Sequence, residues 1–496
     1  MKKYLIVLLI TIIVIISILK ISAFSDECIV VDTPYASSLI QISRCDCVCF
    51  IMLAIGAQST TYSTTEQKVI CEYETDIVGE EKADLAEKYI SRCMFQKKRD
   101  LVHQAARYLG IINGEYRVGE NERYIFFNTY RTVRLDECLA FIVRCLEEDK
   151  AVKKSLEETF EMAKDYGLIL ESDYFYDCPK KELMLSDLRI ILERFIDNVS
   201  EIGRSVICIG TGNEGASGGH FSGRVREGRT LEVEFAVASY EATLNLQIWK
   251  NYVDRYRITV TAPLGEQLTI QEELIGQTEA VLGYTRLLVY VGEPKPYTTD
   301  QEIYIDFLPQ RSYVDSGIWT ISIEPREVKN GYVYMYLPGE AARSSGTRFV
   351  SSSPEDTLTI PSTASKAIAV GAYNSVYNAY ADFSGRGYMN QANGIGERQI
   401  GSVRPTLVAP GVSLQAVTPG GTYQYVSGTS FATPVVTGSA ALLMEWGIVQ
   451  GQDVFLYGEK VKANLIRGAR RFPVPSEWPN AMYGWGALCV EDSIDI

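Results

Sequence analysis

Histidine is nearly absent from this chain, with two among 496 residues, His103 and His220. That scarcity leaves few side chains that titrate near neutrality. No cysteine–histidine zinc spacing, phosphate-cradling glycine loop or calcium-loop pattern occurs, so no cofactor is expected. Positive charge is in deficit, 48 Lys and Arg against 62 Asp and Glu for a net charge of −14, which argues against a nucleic-acid partner and suits a secreted, soluble protein. A long apolar run opens the chain at Tyr4–Leu19. As a helix it would span about 24 Å, short of a hydrocarbon core of about 30 Å. Lys2 and Lys3 before it and Ala23 and Ser25 after it fit a signal peptide over residues 1–25, with an uncleaved membrane anchor as the alternative. Export permits disulfides, yet the eleven cysteines are odd in number and their pairing stays unassigned. Cys45, Cys47 and Cys49 sit two apart on a predicted helix, about 200° around its axis, so they read as small apolar core residues rather than ligands of one metal.

What is present concentrates in the C-terminal half. Short apolar runs such as Val206–Gly210 and Ala367–Gly371 read as buried parallel strands ending in glycine and small polar residues. That is how a strand meets its loop at the carboxyl edge of an α/β sheet. Gly428-Thr429-Ser430-Phe431-Ala432-Thr433-Pro434 then opens an apolar helix that runs on through Val435 to Trp446. Ser430 therefore stands at a helix N-terminus, where backbone amides and the helix dipole favour a developing anion. A plain N-cap serine would satisfy the same pattern.

The order of these blocks resembles the subtilisin-like (subtilase, S8-type) serine protease family from about residue 185 onward. Val206 to Gly215, Ile360–Ala364, Ala367–Tyr373, Phe383–Gly387, Arg404–Val412, the serine block and Tyr483-Gly484-Trp485-Gly486 follow one another as in that family. Within it, the chain is most similar to clostridial-type members with a β-sandwich insert, a group related to spore germination that includes pseudoproteases. The resemblance implies that Ser430 is the nucleophile and that the side-chain amide of Asn213 donates to the oxyanion. A missing donor of that kind costs about 10²–10³ in turnover, a figure measured on a subtilisin asparagine rather than on this chain.

A serine nucleophile needs a histidine to take its proton and an acid to orient the histidine. The family's Asp and His-Gly-Thr segments do not occur where the resemblance requires them. Asp32, in Ile29-Val30-Val31-Asp32-Thr33, and His103, in Leu101-Val102-His103-Gln104, are weak substitutes. Asp32 directly follows the export signal, and His103 lies on an apolar helix face without the Gly-Thr context. His220, in Gly218-Gly219-His220-Phe221, reads as structural. Loss of a triad histidine costs about 10⁶ in turnover, again a subtilisin figure. An exported pseudoprotease is thus the first reading of function.

Two further regions complete the expected architecture. A weak repeat runs over residues 36–196, its main part a domain over 36–183: Ile42–Met52 aligns with Thr132–Ile142, and a third, more distant copy is Met184–Leu192, each a polar start, an early acid and an apolar stripe. With connectors such as Asp165-Tyr166-Gly167-Leu168-Ile169, this resembles S-layer homology modules, which bind cell-wall polymers. Residues 221–345 alternate as strands over Leu231–Val237, Leu244–Trp249, Tyr256–Thr261, Leu287–Val291, Glu302–Phe307 and Trp319–Ile323, predicting an antiparallel jelly-roll-like insert. The fold class expected is α/β: a partial subtilisin-like parallel sheet over 184–496, interrupted by that insert and preceded by a mainly helical repeat domain. The partners expected are proteins or peptides, or a cell-wall polymer, with membrane contact only through an uncleaved N-terminal segment. Two alternatives stand beside the first reading. One is a wall-associated binding or structural protein. The other is an active serine endopeptidase whose triad is completed by Asp32 and His103 or by a partner.

Overall fold

The computed structural model describes residues 115–118, 123–126, 132–146, 154–202, 205–272, 275–293, 299–387, 403–417, 422–473 and 475–494, with residues 44, 47, 48 and 51 besides. The expected signal peptide, Asp32 and His103 lie outside the described residues. The described residues divide into two compact units, which separate after residue 203.

Among its described residues the N-terminal unit shows a two-stranded hairpin, β1 (Glu115–Val118) and β2 (Arg123–Phe126), and the helices α1 (Leu135–Leu146), α2 (Leu156–Asp165) and α3 (Leu185–Ile202). The segments entering α1 and α3 pair with each other. Leu135 N–H donates to Lys181 O and Leu183 N–H to Val133 O, both at 2.9 Å, around an Arg134–Glu182 bridge. Each helix start is closed alike, Glu137 accepting from Arg134 N–H at 3.1 Å and Asp187 from Met184 N–H at 3.0 Å. Helix α2 begins with a reciprocal capping box between Ser155 and Glu158. It ends where Leu168 N–H reaches back to Ala163 O, the six-to-one bond of a Schellman turn. The loop expected at 165–169 is thus a helix end.

The second unit contains a β-sandwich and an α/β layer. A short strand β3 (Cys208–Gly210) leads out of the α/β layer into the sandwich strands β4 (His220–Arg224), β5 (Leu231–Val237), β6 (Leu244–Asn251), β7 (Arg255–Thr261), β8 (Gln267–Ile270), β9 (Gly276–Leu282), β10 (Thr285–Val291), β11 (Asp300–Pro309), β12 (Gly317–Glu327) and β13 (Tyr332–Tyr336). A two-residue strand, β14 (Arg348–Phe349), closes it. The sheets run β4-β13-β6-β11-β10-β9 and β14-β5-β12-β7-β8. Without the β9–β10 hairpin and β14, that order is a jelly roll. The insert runs from His220 to Phe349, slightly wider than the expected 221–345.

Alternation explains the sandwich. In β5, β7, β10 and β12 every second residue, including Phe235, Ile258, Val289 and Trp319, is buried between the sheets. Phe307 and Trp319 meet edge to face at 5.1 Å. At one end, buried Asp254 accepts from the N–H groups of Lys329, Asn330 and Gly331 at 2.6, 2.8 and 2.7 Å and from the Tyr256 hydroxyl at 2.9 Å. Buried Lys250 donates to Asp254 O at 2.6 Å and pairs with Glu272 at 3.4 Å.

The α/β layer is a short parallel sheet in which β15 (Ile368–Asn374) lies between β3 and β17 (Leu407–Pro410), with β16 (Ala379–Tyr380) folding back antiparallel on β15. A hairpin, β18 (Leu414–Val417) and β19 (Tyr423–Val426), precedes α4 (Thr429–Met444), which packs Ala432, Val436, Ala440 and Leu443 in one core with the sheet residues Cys208, Ile368, Val370 and Leu407. Among the described residues, Thr429–Val449 is long and apolar enough to cross a membrane, but its inner face is the core of this layer. The closing Tyr483–Gly486 segment docks beside β17, where Trp485 N–H donates to Thr406 O at 3.0 Å and Leu488 N–H to Val408 O at 2.8 Å. The helices α5 (Glu459–Arg467) and α6 (Val490–Ser493) follow the same layer, Val461 and Leu465 joining its core.

Asp254→Ala leaves several buried donors without an acceptor, and should lower the unfolding free energy by about 3–5 kcal/mol in urea denaturation. A loss below about 1 kcal/mol would mean that Asp254 does not hold the sandwich turn.

Candidate active site

Ser430 is the second residue of α4 and is buried. Three donors around it have fixed acceptors. Thr429 N–H donates to Asn213 Oδ1 at 3.0 Å, and Phe431 and Ala432 N–H both turn to Gly428 O, at 3.0 and 3.3 Å. The Thr429 hydroxyl adds a second hydrogen bond to Asn213 Oδ1 at 3.2 Å. Asn213, 216 residues away in sequence, is thereby fixed against the start of the serine helix by its carbonyl oxygen. Its Nδ2 lies on the other side of the amide, 3.5 Å from where a Cβ on Gly428 would stand. Gly428 adopts φ 149, a conformation that side-chain-bearing residues rarely take, and so lets the chain turn into the helix beneath that amide.

The strand and loop carrying Asn213 are held from several directions. Gly210 lies so close to α4 that a Cβ there would stand 3.1 Å from Thr433 Oγ1 and 3.2 Å from Thr429 Oγ1. Thr211 N–H donates to Val370 O at 3.0 Å, and Gly385 N–H to Gly212 O at 2.9 Å. Ser384 Oγ accepts from Ala372 N–H at 3.0 Å and lies 3.5 Å from Thr211 Oγ1. The Phe383-Ser384-Gly385 block therefore latches the Asn213 loop to β15. Beyond Asn213, the loop is tied to the sandwich exit: Arg343 donates to Ser217 O at 2.8 Å, to Pro338 O at 2.7 Å and to Thr347 O. Glu214 accepts from Glu340 N–H at 3.3 Å.

The structure does not bring His220 to this site. It is the one histidine among the described residues, and it is buried at the start of β4. Its ring stacks on Tyr336 at 4.4 Å, and Nδ1 is 3.2 Å from Ser353 O. Asp32 and His103 cannot be placed, since they lie outside the described residues. Cys208 is no rival nucleophile, because burial pushes its thiol up to about 12 despite a hydrogen bond with Thr437. Cys489, Glu491 and Asp492 offer ligand atoms within 4.8 Å of one another. Arg470 already pairs with both carboxylates, at 3.3 and 2.6 Å, so a cation there would have to displace a guanidinium.

The sequence signal missed Thr429 and Ser384. Thr429 positions Asn213 through its backbone as much as its side chain, and backbone contacts leave no compositional trace. Ser384 appeared only as part of a recurring block, without the latch it forms.

A serine thus stands at the N-terminus of a helix packed on a parallel sheet, with an asparagine amide fixed against the same helix start. Residues 320–486 match the model of the subtilase family, and this C-terminal part of the chain is a subtilase (peptidase S8) domain. A subtilisin of Bacillus pumilus is 42% identical over 136 residues, covering 27% of this chain and 41% of that protein. Subtilisin E of Bacillus subtilis (strain 168) is likewise 42% identical over 136 residues, 29% of its length. The CspB protease of Clostridium perfringens superposes with a TM-score of 0.55 at 31% identity, over 61% of each chain. The chain thus spans less than half the length of these subtilisins.

Two outcomes follow from this geometry. Asn213→Ala should cost about 1–2 kcal/mol of stability in urea unfolding, whereas Asn213→Asp, which keeps an acceptor for Thr429, should cost much less. Equal losses would show that the amide's acceptor side does not anchor the helix. The second concerns Glu214, whose carboxyl burial pushes above its ordinary range. An acid raised in the fold makes stability fall as pH climbs past the unfolded-state value, because the unfolded chain releases its proton first. Glu214→Gln should therefore gain melting temperature relative to the parent as pH rises above the ordinary glutamate range of about 4.3. Asp306, also raised by burial, contributes equally to both curves. Parallel curves would refute the shift.

Proposed function

We propose that this chain is a subtilase homologue that keeps the nucleophile serine and the oxyanion asparagine but lacks recognisable Asp and His motifs: a pseudoprotease acting outside the cytoplasm, with protein or peptide partners. The observation that carries the reading is the contrast between two side chains. Asn213 is fixed against the start of the Ser430 helix, while His220 is held in an aromatic stack with Tyr336. Without a base the hydroxyl stays a weak nucleophile, and binding plus an oxyanion hole leave only about 10³–10⁴ over water, as in subtilisin stripped of its triad.

A second reading has Asp32 and His103, or a partner, completing the triad around Ser430. Wall attachment through the S-layer-like repeats is the remaining alternative, and it is compatible with either.

Fluorophosphonate labelling of the purified chain, with Ser430→Ala as control, tests the reading. The expected result is no covalent adduct by intact mass on a chain shown by circular dichroism to be folded. An adduct that disappears in Ser430→Ala overturns it, since it requires an activated serine; loss of the adduct in His103→Ala would then identify the base.

A further inference from the structure

The end of the sandwich remote from Asp254 carries a surface that the serine chemistry does not use. Strand register brings three loops together there, because Val237 faces Gly317, Leu244 faces Phe307 and Thr285 faces Pro309. These loops are 238–243, the turn 283–284 and 310–316. The third ties the other two into one body. Gln310 N–H donates to Tyr284 O at 2.8 Å, and Val314 N–H to Glu241 O at 2.9 Å. Asp315 accepts from Tyr284 N–H at 2.6 Å and from the Thr285 hydroxyl at 3.0 Å. Buried Glu241 in turn receives Ser344 N–H at 3.0 Å and the Thr347 hydroxyl.

On this fixed base, three tyrosines face solvent. Tyr240 is 75% exposed and holds φ 69, a left-handed conformation costly for a bulky side chain. Its ring meets that of Tyr313 at 5.3 Å and 86°, so the two form a right-angled aromatic corner. Tyr284 lies under the Arg311 guanidinium, 3.3 Å from the ring centre. The other exposed residues of these loops, such as Ser239, Thr243 and Ser312, are small or neutral. In a chain of net charge −14, Arg311 is the single exposed charge here.

We infer that this corner is a glycan-binding surface. A pyranose offers a face of C–H groups, polarised by neighbouring oxygens, which suits the electron-rich face of a tyrosine ring. Its rim of hydroxyls suits hydroxyl and guanidinium partners and needs no opposite charge. Rings fixed before the ligand arrives lower the ordering cost of binding. The strained backbone of Tyr240 has no fold role that a glycine would not serve better, which fits retention of the ring for contact. This inference is independent of Ser430 and of the N-terminal repeats.

The test is calorimetric titration of the full chain with chitohexaose, cellohexaose and mannohexaose, together with co-sedimentation on purified peptidoglycan sacculi. Saturable binding to at least one is expected. Tyr240→Gly, which relieves the backbone, and Tyr313→Ala should each weaken it at least tenfold while leaving the melting temperature within a few degrees of the parent. Binding held equally by both variants would move the site elsewhere in the chain and overturn the proposal. Absence of binding to every one of these glycans also overturns it, and leaves the corner to a protein partner.

Discussion

The hydrogen bonds from Thr429 to Asn213 are what the α/β layer of this molecule is arranged around. They join the two ends of a long excursion of the chain, through the whole sandwich and back, at the first turn of one helix. The unsatisfied amides of a helix start must find acceptors. Here one is met by a side chain whose other end is free for a different purpose. The tight approach of β3 at Gly210, the Ser384 latch and the left-handed turn at Gly428 serve to keep that side chain where it is. Positioning of this kind persists without catalysis, because a folded helix end requires it whether or not a substrate arrives.

Much of the fold was legible because its periodicities are strong. The strand runs expected at Leu231–Val237, Leu244–Trp249 and Tyr256–Thr261 fall within β5, β6 and β7, since alternation of apolar and polar residues has one physical solution in a two-sheet sandwich. Gln267–Ile270 and Gly276–Leu282 were not foreseen as strands: their burial patterns are mostly exposed, and they sit at or near sheet edges where one face has nothing to cover. In the N-terminal unit the acids opening α1 and α3 were readable as helix starts, but the pairing of their entry segments was not, being a backbone event between distant residues.

The candidate site divides in the same way. Ser430 and Asn213 were legible because glycine, threonine and proline around them are constrained by turn and cap geometry. His220, read from the sequence as structural, is so placed, but the stack with Tyr336 that holds it was not legible. Sequence proximity across a strand that leaves one layer for another is a poor guide to spatial proximity, because the strand carries the residue away within a few steps.

Arg343 gives the insert a significance beyond its own stability. Its guanidinium joins Pro338, Thr347 and Ser217 in one knot, so the chain leaving the sandwich is fastened to the loop that has just carried Asn213. The β-domain is therefore less an ornament on a smaller hydrolase than a clasp whose two straps are the site's own loop. A lineage that had come to depend on that clasp could discard the proton relay and still fold, but it could not shed the sandwich by a clean deletion. Inheritance would then preserve the architecture long after the chemistry had gone.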